Sequence, residues 1–388
     1  MKVVIAIDSL KGSLSSIEAG TAIKNGIERV YGDKADVIVR PLADGGEGTV
    51  EALAEGMNGE LKRVTVKGPM GKPTESVYAV LPERKTAVIE MASAAGIVLV
   101  PDKEKNPLKV STYGVGETIK NAVKNGMRSF IIGIGGSATN DCGTGMLTTL
   151  GWRFLDENGN ELEGNGENLV KIKEIDDSAV MAELKECNFK IACDVNNPLC
   201  GDNGCSNVYG PQKGATEAII SYLDEGCKNF AEVTYKKYGI DNIDFPGAGA
   251  AGGLGYAFSV YLNSELKSGI DIVLEETELE SYIEGADYVI TGEGRIDFQT
   301  AMGKGPMGVA RLGKKHGAVV IGFAGCITED ADECNAQGMD AFFPIIPRAM
   351  TLEEAVDKEN SKKKHGTYGR RGFQTYKSRK KIRIKNKA

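Results

Sequence analysis

The segment KVVIAIDSLKGSLSSIEAGTAIKNGIERVYGDKADVIVRP, Lys2–Pro41, decides the fold class. From it onward, apolar patterning predicts in turn a strand, a helix, a strand, a helix and a strand at Lys2–Ile7, Ser15–Val30, Asp36–Arg40, Thr49–Glu55 and Leu61–Val66. Because strands and helices alternate, the segment predicts a parallel α/β sheet.

The middle of the chain has a different pattern. After Gly68 the strands are short, Val77–Leu81 and Thr86–Glu90, which is typical of a hairpin. Alternation returns late in the chain, at Tyr288–Thr291, Pro306–His316, Val319–Phe323, Glu329–Gln337 and Ala341–Ile346. We therefore predict two α/β domains: a discontinuous Rossmann-like parallel-sheet domain from residues 1–68 and 285–360, and a second α/β domain inserted at 69–284.

Composition limits the function. The chain has 388 residues, a net charge of −7 and only two histidines, His316 and His365. It has no apolar run of the roughly 18 residues that would suggest a membrane span, and MKVVIAIDS is too short for a secretory signal. We expect a cytoplasmic protein with no membrane partner and no specific nucleic-acid partner. Zinc sites and histidine-based triads are disfavoured, so a general base should be a carboxylate.

Six loops are rich in glycine and polar residues. Most of them follow a predicted strand, where open α/β sheets place their ligands. Glycine lets backbone N–H groups approach an anion, although α/β turns are often glycine-rich for structural reasons alone. Any one loop is therefore ambiguous, but together they indicate a ligand site: residues 7–13, 42–49, 132–145, 192–201, 247–255 and 291–300.

The third of these loops, IGIGGSATNDCGTG at residues 132–145, permits a second interpretation. Gly133-x-Gly135-x-x-Ala138 is a variant of the dinucleotide fingerprint, and Asp156 follows at about the distance of a ribose-binding acid. These residues would suit an NAD(P)-dependent oxidoreductase. Against it, Thr139–Gly143 prolongs the loop where a Rossmann helix should begin. The chain has no G-x-x-x-x-G-K-[ST], so a P-loop is absent.

Phosphoryl transfer requires cations for phosphates, carboxylates for Mg²⁺ and a carboxylate to accept a proton. The loops offer Lys11 and Arg295 as cations. They offer six acids: Asp8, Asp44, Asp141, Asp194, Glu293 and Asp297. Structural alternatives stay open, since Asp8, Asp141 and Asp194 can cap turns or helices, and Arg295 can pair with Asp297.

Seven segments in order resemble the bacterial glycerate kinase type I family, over about residues 1–360: IAIDSLKGSLSS, PLADGGEGTVEAL, IIGIGGSATNDCGTGM, ACDVNNPLCG, PGAGAAGGLG, ELKSGIDIV and VITGEGRIDFQT. The resemblance implies two α/β domains, one inserted in the other. It also implies ATP-dependent phosphorylation of D-glycerate, with ATP and Mg²⁺ as cofactors. The expected product is 2-phosphoglycerate, and 3-phosphoglycerate is the alternative.

Within this family interpretation we predict residue roles. Glycerate should lie near Asp8, Ser9 and Lys11, with Lys11 pairing the substrate carboxylate. Arg295 should clamp that group or the transferring phosphate. Asp44 or Asp194 is the predicted base, and Asp297 completes the catalytic set.

Phosphate and metal roles fall mostly on other loops. The predicted phosphate cradle consists of Gly135, Gly136, Ser137 and Asn140. Gly249 and Gly252 form a second cradle or a hinge. The predicted magnesium ligands are Asp141, Asp194 and Glu293. The sequence leaves the oligomeric state open, with a homodimer as one option, and it leaves an inactive binding protein as a third class of function.

The C-terminal segment departs from the family pattern. From Ser361 it holds twelve Lys or Arg and no Asp or Glu, whereas the preceding residues hold 35 basic and 54 acidic side chains. One interpretation is a disordered basic arm for nucleic acid. Another is a frameshift, because codons for His365–Lys377 can be chosen so that the next frame encodes MERTAEEVFRLI, which resembles the expected amphipathic helix. Sequencing codons 358 to 366 of the gene tests this hypothesis.

Overall fold

The computed structural model describes residues 1–346, 348 and 350–357. The chain forms two compact units. Unit 1 comprises residues 1–44, 51–58 and the described chain from residue 270 onward, and unit 2 comprises residues 45–50 and 59–269. The basic segment 361–388, with its proposed frameshift, lies outside the described residues.

The strands are, in chain order, β1 (Lys2–Ile7), β2 (Asp36–Pro41), β3 (Glu60–Lys67), β4 (Pro73–Leu81), β5 (Thr86–Glu90), β6 (Ser129–Gly133), β7 (Arg153–Leu155), β8 (Glu174–Asp176), β9 (Asn188–Ala192), β10 (Glu265–Lys267), β11 (Tyr288–Ile296), β12 (Val319–Ile327) and β13 (Ala341–Pro344). The helices are α1 (Ser16–Tyr31), α2 (Thr49–Gly56), α3 (Ala92–Ala95), α4 (Tyr113–Lys124), α5 (Thr144–Leu150), α6 (Cys205–Tyr209), α7 (Glu217–Tyr238), α8 (Ala250–Leu262), α9 (Gly269–Glu276), α10 (Leu279–Ile283), α11 (Phe298–Ala301), α12 (Gly305–Lys315), α13 (Glu333–Ala336) and α14 (Leu352–Val356). The prediction of an α/β fold is confirmed.

Unit 1 is built on a parallel sheet with the strand order β13-β12-β11-β1-β2. Side chains of β1 alternate between its two faces, as the pleat requires. Val3, Ile5 and Ile7 pack in the same core as α1, whereas Val4 and Ala6 pack in the same core as α12. The two ends of the chain therefore share one sheet, as the sequence predicted.

Unit 2 is built on a mixed sheet with the strand order β10-β9-β6-β5-β4-β3. The prediction for β3 is wrong, because this strand pairs antiparallel with β4 rather than joining β1 and β2. Glu60–Arg63 at its start are exposed, which suits an edge strand and not the interior of a parallel sheet. The predicted boundary at residue 68 is therefore wrong.

The second predicted boundary also differs from the structure. The sequence predicts that residues 270–284 are part of the insertion, whereas in the structure they belong to unit 1. Ile270, Leu279 and Ile283 share a buried core with Val4 and Ala6.

Among the described helices, none combines the length and the apolar character that a membrane span needs.

Candidate active site

Three carboxylates of unit 1 follow adjacent strands. Asp8 comes directly after β1, Asp44 comes shortly after β2, and Glu293 lies near the carboxyl end of β11. Because β11, β1 and β2 are neighbours in a parallel sheet, their carboxyl ends meet at one edge. This edge is where open α/β sheets bind ligands. The structure thus places Asp8, Asp44 and Glu293 at the same edge of the sheet, although the sequence predicted a different role for each of them.

The three carboxylates affect one another electrostatically. Burial and the negative charges of Asp44 and Glu293 together raise the pKa of Asp8 to about 7, against the opposing effects of the Ser9 N–H and of Lys11. The Ser9 N–H donates to Asp8 Oδ1 at 2.6 Å. Burial also raises the pKa of Glu293. A bound cation would relieve this crowding of negative charge.

Lys11 occupies an exposed position in the turn that follows β1. The turn is closed by hydrogen bonds between Leu10 and Leu14, in which the Leu10 N–H donates at 2.9 Å and the Leu14 N–H at 3.1 Å. Lys11 lies near enough to lower the pKa of Asp8. Its exposed ammonium can therefore contact an anionic substrate beside the three carboxylates.

Arg295 and Asp297 form an ion pair, which was the structural alternative for these residues. Arg295 Nε lies 2.9 Å from Asp297 Oδ2. The other oxygen of Asp297 caps α11, accepting from the N–H groups of Gln299 at 3.0 Å and Thr300 at 3.3 Å. Asp297 is only 6% exposed. These contacts favour a structural role for Asp297, while the side chain of Arg295 remains 62% exposed.

Unit 2 contains a cavity of about 450 Å³ at the carboxyl ends of β5 and β6. Five glycines contribute to its walls, and its lining consists of Gly45, Gly46, Glu47, Glu90, Ala92, Ser93, Ile97, Val98, Gly133, Gly135 and Gly136. A side chain at Gly133 would meet the carbonyl oxygen of Gly45 at 2.5 Å. Glycine at this position therefore lets two of the predicted loops approach each other closely.

Three successive backbone N–H groups in the loop after β6 lack a protein acceptor among the described residues. They belong to Gly135, Gly136 and Ser137. Gly136 has a φ of +72°, a left-handed conformation that glycine adopts readily. Its carbonyl is held by the Ile97 N–H at 2.8 Å. Successive free N–H groups around such a residue form an anion-binding concavity.

Lys213 is buried against this loop, and it was not among the site residues predicted from the sequence. It is 3% exposed, and its Nζ donates to Ser137 Oγ at 2.9 Å and to the Thr139 carbonyl at 2.6 Å. Burial lowers its pKa to about 8, against the opposing effects of Cys205, Asp141 and Cys227. The only sequence signal is a lysine between turn residues, in Gly210-Pro211-Gln212-Lys213-Gly214.

Glu90 is a second residue that the sequence analysis missed. It ends β5 and lines the cavity. Its Oε1 accepts from the N–H groups of Gly48 at 3.0 Å and Val50 at 3.1 Å. The carboxylate thereby fixes the start of α2, where a negative charge is favourable. A single Glu at a strand end carries no pattern that would have revealed this contact.

The predicted phosphate contact of Asn140 is not supported. Asn140 is fully buried, and its Nδ2 donates to Ser206 Oγ at 3.1 Å. Its Oδ1 is buried and has no hydrogen-bond partner among the residues that the structure describes. The cavity lining includes Gly135 and Gly136 but not Asn140. The side chain therefore belongs to the interior of unit 2.

The predicted magnesium role of Asp141 is not supported either. Asp141 is fully buried, and its carboxylate accepts four hydrogen bonds: from the Thr112 N–H and Oγ1, both at 2.8 Å, from the Gly143 N–H at 3.1 Å and from the Gly145 N–H at 3.4 Å. Its oxygens are thus committed to shaping the loop. Within the part of the chain that the structure describes, no three His, Cys, Asp or Glu side chains converge to hold a metal by themselves.

Gly249 and Gly252 pack against backbone and do not line the cavity. A side chain at Gly249 would meet the Pro198 carbonyl oxygen at 2.1 Å, and one at Gly252 would meet the Thr139 carbonyl oxygen at 2.1 Å. Ala251, Gly252 and Gly253 have left-handed backbone conformations inside α8. This segment therefore serves close packing, and a second phosphate cradle is not supported.

Asp194 is exposed in the loop after β9. Its Oδ1 accepts from the Gly269 N–H at 3.0 Å. This contact agrees both with a turn-stabilising role and with the predicted role as base.

The dinucleotide-binding alternative has little structural support. After Gly133 the chain does not enter a helix until α5 begins at Thr144. Asp156 accepts from the N–H groups of Asn158 and Asn160 in its own turn. A cavity with free amide donors and a separate group of carboxylates instead fit the class of phosphoryl-transfer enzymes.

Comparison with known proteins identifies the family. The model of the glycerate kinase family matches residues 3–367. Glycerate kinase of Bacillus subtilis (strain 168) is 47% identical over 357 residues, covering 92% of this chain and 93% of the relative. Glycerate 2-kinase of Escherichia coli (strain K12) is 47% identical over 355 residues, with the same coverage. The chain belongs to the glycerate kinase family and is a phosphotransferase.

A solved structure agrees with this assignment. The crystal structure from Salmonella typhimurium LT2, described as a glycerate kinase 2, has a TM-score of 0.90 and 42% sequence identity. The match covers 98% of this chain and 99% of that chain. The predicted resemblance to the family is confirmed.

Proposed function

We propose that this kinase transfers the γ-phosphoryl group of ATP to the 2-hydroxyl of D-glycerate, giving 2-phospho-D-glycerate and ADP. The observation that carries the choice of hydroxyl is the 47% identity to a relative named glycerate 2-kinase. The alternative product within the same family is 3-phosphoglycerate. The two products differ in a coupled assay, as described below.

The glycine-lined cavity of unit 2 supports a role in ATP binding. The N–H groups of Gly135, Gly136 and Ser137 are available to phosphate oxygens. Preorganised amide donors stabilise phosphate charge without reorganising during the reaction. We assign the phosphates of ATP to these donors.

The three carboxylates of unit 1 fit Mg²⁺. Asp8, Asp44 and Glu293 present hard oxygen donors, and burial together with the negative charges of Asp44 and Glu293 raises the pKa of Asp8 to about 7. Mg²⁺ is usually held by one or two carboxylates, with phosphate oxygens and water as the other ligands. When bound, it would neutralise charge on the phosphates. Asp194 remains a predicted ligand in unit 2.

We assign the substrate carboxylate to Lys11 and Arg295, whose exposed cationic groups suit an organic acid.

Asp44 and Asp194 remain the two candidate bases. In a loose transition state the base orients the hydroxyl and accepts its proton late. Replacing the true base with Asn should lower kcat by roughly 10²–10⁴-fold with little change in melting temperature. An Asp194→Asn enzyme with near-normal kcat would exclude Asp194.

The decisive assay supplies purified protein with MgATP and D-glycerate and couples the product to enolase alone. Enolase acts on 2-phosphoglycerate, so the absorbance of phosphoenolpyruvate should rise without added phosphoglycerate mutase. A signal that requires the mutase would establish 3-phosphoglycerate instead. If neither arm gives a signal, the assay should be repeated with the alternative reading frame restored after codon 358.

A further inference from the structure

Lys213 has an unusual environment for a lysine. It lies in the turn between α6 and α7 and is 3% exposed. An ammonium has three hydrogen-bond donors, and only two acceptors contact Nζ, Ser137 Oγ and the Thr139 carbonyl. Within the described residues Lys213 forms no ion pair. The structure therefore buries a positive charge that no carboxylate neutralises directly.

Such a charge is costly to bury unless something compensates it. Both acceptors of Lys213 belong to the loop that carries the free N–H groups of Gly135, Gly136 and Ser137. An anion bound to those N–H groups would lie on the same loop and would supply the missing negative charge. The buried ammonium is therefore hydrogen-bonded to the same loop that presents the free N–H donors.

We propose that Lys213 is a positioning residue for ATP: it fixes the Gly135–Ser137 loop through Ser137 and Thr139 and places a positive charge behind the phosphate-binding N–H groups. The inference rests on the proposed function, because it takes ATP as the anion. Lys213 acts through the loop and is not itself assigned to the reacting atoms. Its effect should therefore appear in the binding of phosphates and not in the binding of glycerate.

The test compares Lys213→Met, which keeps the length of the side chain and removes its charge, with Lys228→Met. Lys228 lies in the same unit, exposed on α7, where it pairs with Asp224. Calorimetric titration with ATP and with inorganic tripolyphosphate should show at least tenfold weaker binding for Lys213→Met and unchanged binding for Lys228→Met. The KM for glycerate should stay within twofold. A folded Lys213→Met protein that binds both anions within twofold of wild type would overturn the proposal.

A second measurement uses the wild-type protein and does not depend on the folding of a variant. Amide hydrogen exchange of a peptide covering residues 133–139 should slow when tripolyphosphate or ATP saturates the protein, because the free N–H groups gain acceptors. Unchanged exchange in this peptide would overturn the proposal.

The two measurements also separate this inference from the proposed function. If wild type shows no turnover but Lys213→Met loses tripolyphosphate binding, the assigned reaction fails and the role of Lys213 in anion binding stands. If wild type phosphorylates glycerate and Lys213→Met binds ATP normally, the reaction stands and the role of Lys213 fails.

Discussion

Two glycine-rich loops of unit 2 have similar compositions and opposite environments. In the loop at residues 135–137, Gly135 has open space where a side chain would project. In the loop at residues 247–253, Gly249 and Gly252 are each pressed against a carbonyl oxygen of another segment. Glycine content alone therefore does not distinguish backbone that binds a ligand from backbone that packs against backbone. The neighbours of each glycine make that distinction.

The largest effect is expected for Gly252→Ala. Gly252 has a φ of +70°, and an added Cβ would lie 2.1 Å from the Thr139 carbonyl oxygen and 2.7 Å from the Asn140 Cα. The left-handed conformation costs about 1–2 kcal/mol for alanine, and overpacking adds about 1–3 kcal/mol. We expect unfolding free energy to fall by about 2–5 kcal/mol in urea denaturation. A loss below about 1 kcal/mol would mean that the packing interpretation of this loop is wrong.

A smaller effect, on binding rather than stability, is expected for Gly135→Ala. No atom lies within 4 Å of the position that its Cβ would occupy, so the fold should tolerate the methyl group. The same methyl would project beside the phosphate-binding N–H groups and hinder the nucleotide. We expect the KM for ATP to rise about tenfold, equivalent to about 1.4 kcal/mol, with urea denaturation unchanged within about 0.5 kcal/mol.

The result for Gly135→Ala bears directly on the contrast between the loops. An unchanged KM for ATP in a stable Gly135→Ala protein would contradict the assignment of this loop to ATP. A loss of stability comparable to that of Gly252→Ala would show instead that both loops serve packing.

Part of the fold could be predicted from the sequence, and part of it could not. The sheet of unit 1 could be predicted because β1, β11 and β12 contain apolar, buried runs that alternate along the chain with predicted helices. The placement of β3 could not, since a polar edge strand does not reveal its partner. The three carboxylates of unit 1 could be located because each follows a recognisable strand.

The side-chain contacts of the predicted phosphate-binding loop could not be predicted from the sequence. The contact between Lys213 and Ser137 joins residues 76 positions apart. Asp141 and Asn140 were assigned to ligands because they lie in a glycine-rich loop, whereas their hydrogen bonds commit them to the interior. These contacts join residues that are distant in the sequence, so the spacing of residues along the chain does not reveal them.

The smallest effect is expected for Asp8→Asn. The carboxylate of Asp8 lies near the negative charges of Asp44 and Glu293, whereas that of Asp141 accepts four hydrogen bonds. The pKa of Asp8 is raised to about 7 in the folded protein, above its usual value of 3.8. The folded state therefore binds this proton more tightly than the unfolded state does. The resulting stability is fully present below pH 3.8 and is lost as the pH rises through about 7. At pH 5 the carboxyl group is mostly neutral and resembles an amide. At pH 8 it is charged and lies near the negative charges of Asp44 and Glu293.

Asp8→Asn should accordingly raise the melting temperature at pH 8 by roughly 2–4 °C and change it little at pH 5. Asp33→Asn, at an exposed position in unit 1, serves as the control. Differential scanning calorimetry at the two pH values, without Mg²⁺ or substrate, measures the difference. Because bound Mg²⁺ would favour the charged carboxylates, added MgCl₂ should reduce the advantage of Asp8→Asn at pH 8. An advantage equal at both pH values would show that Asp8 is not the crowded group, and would leave the magnesium assignment without its electrostatic support.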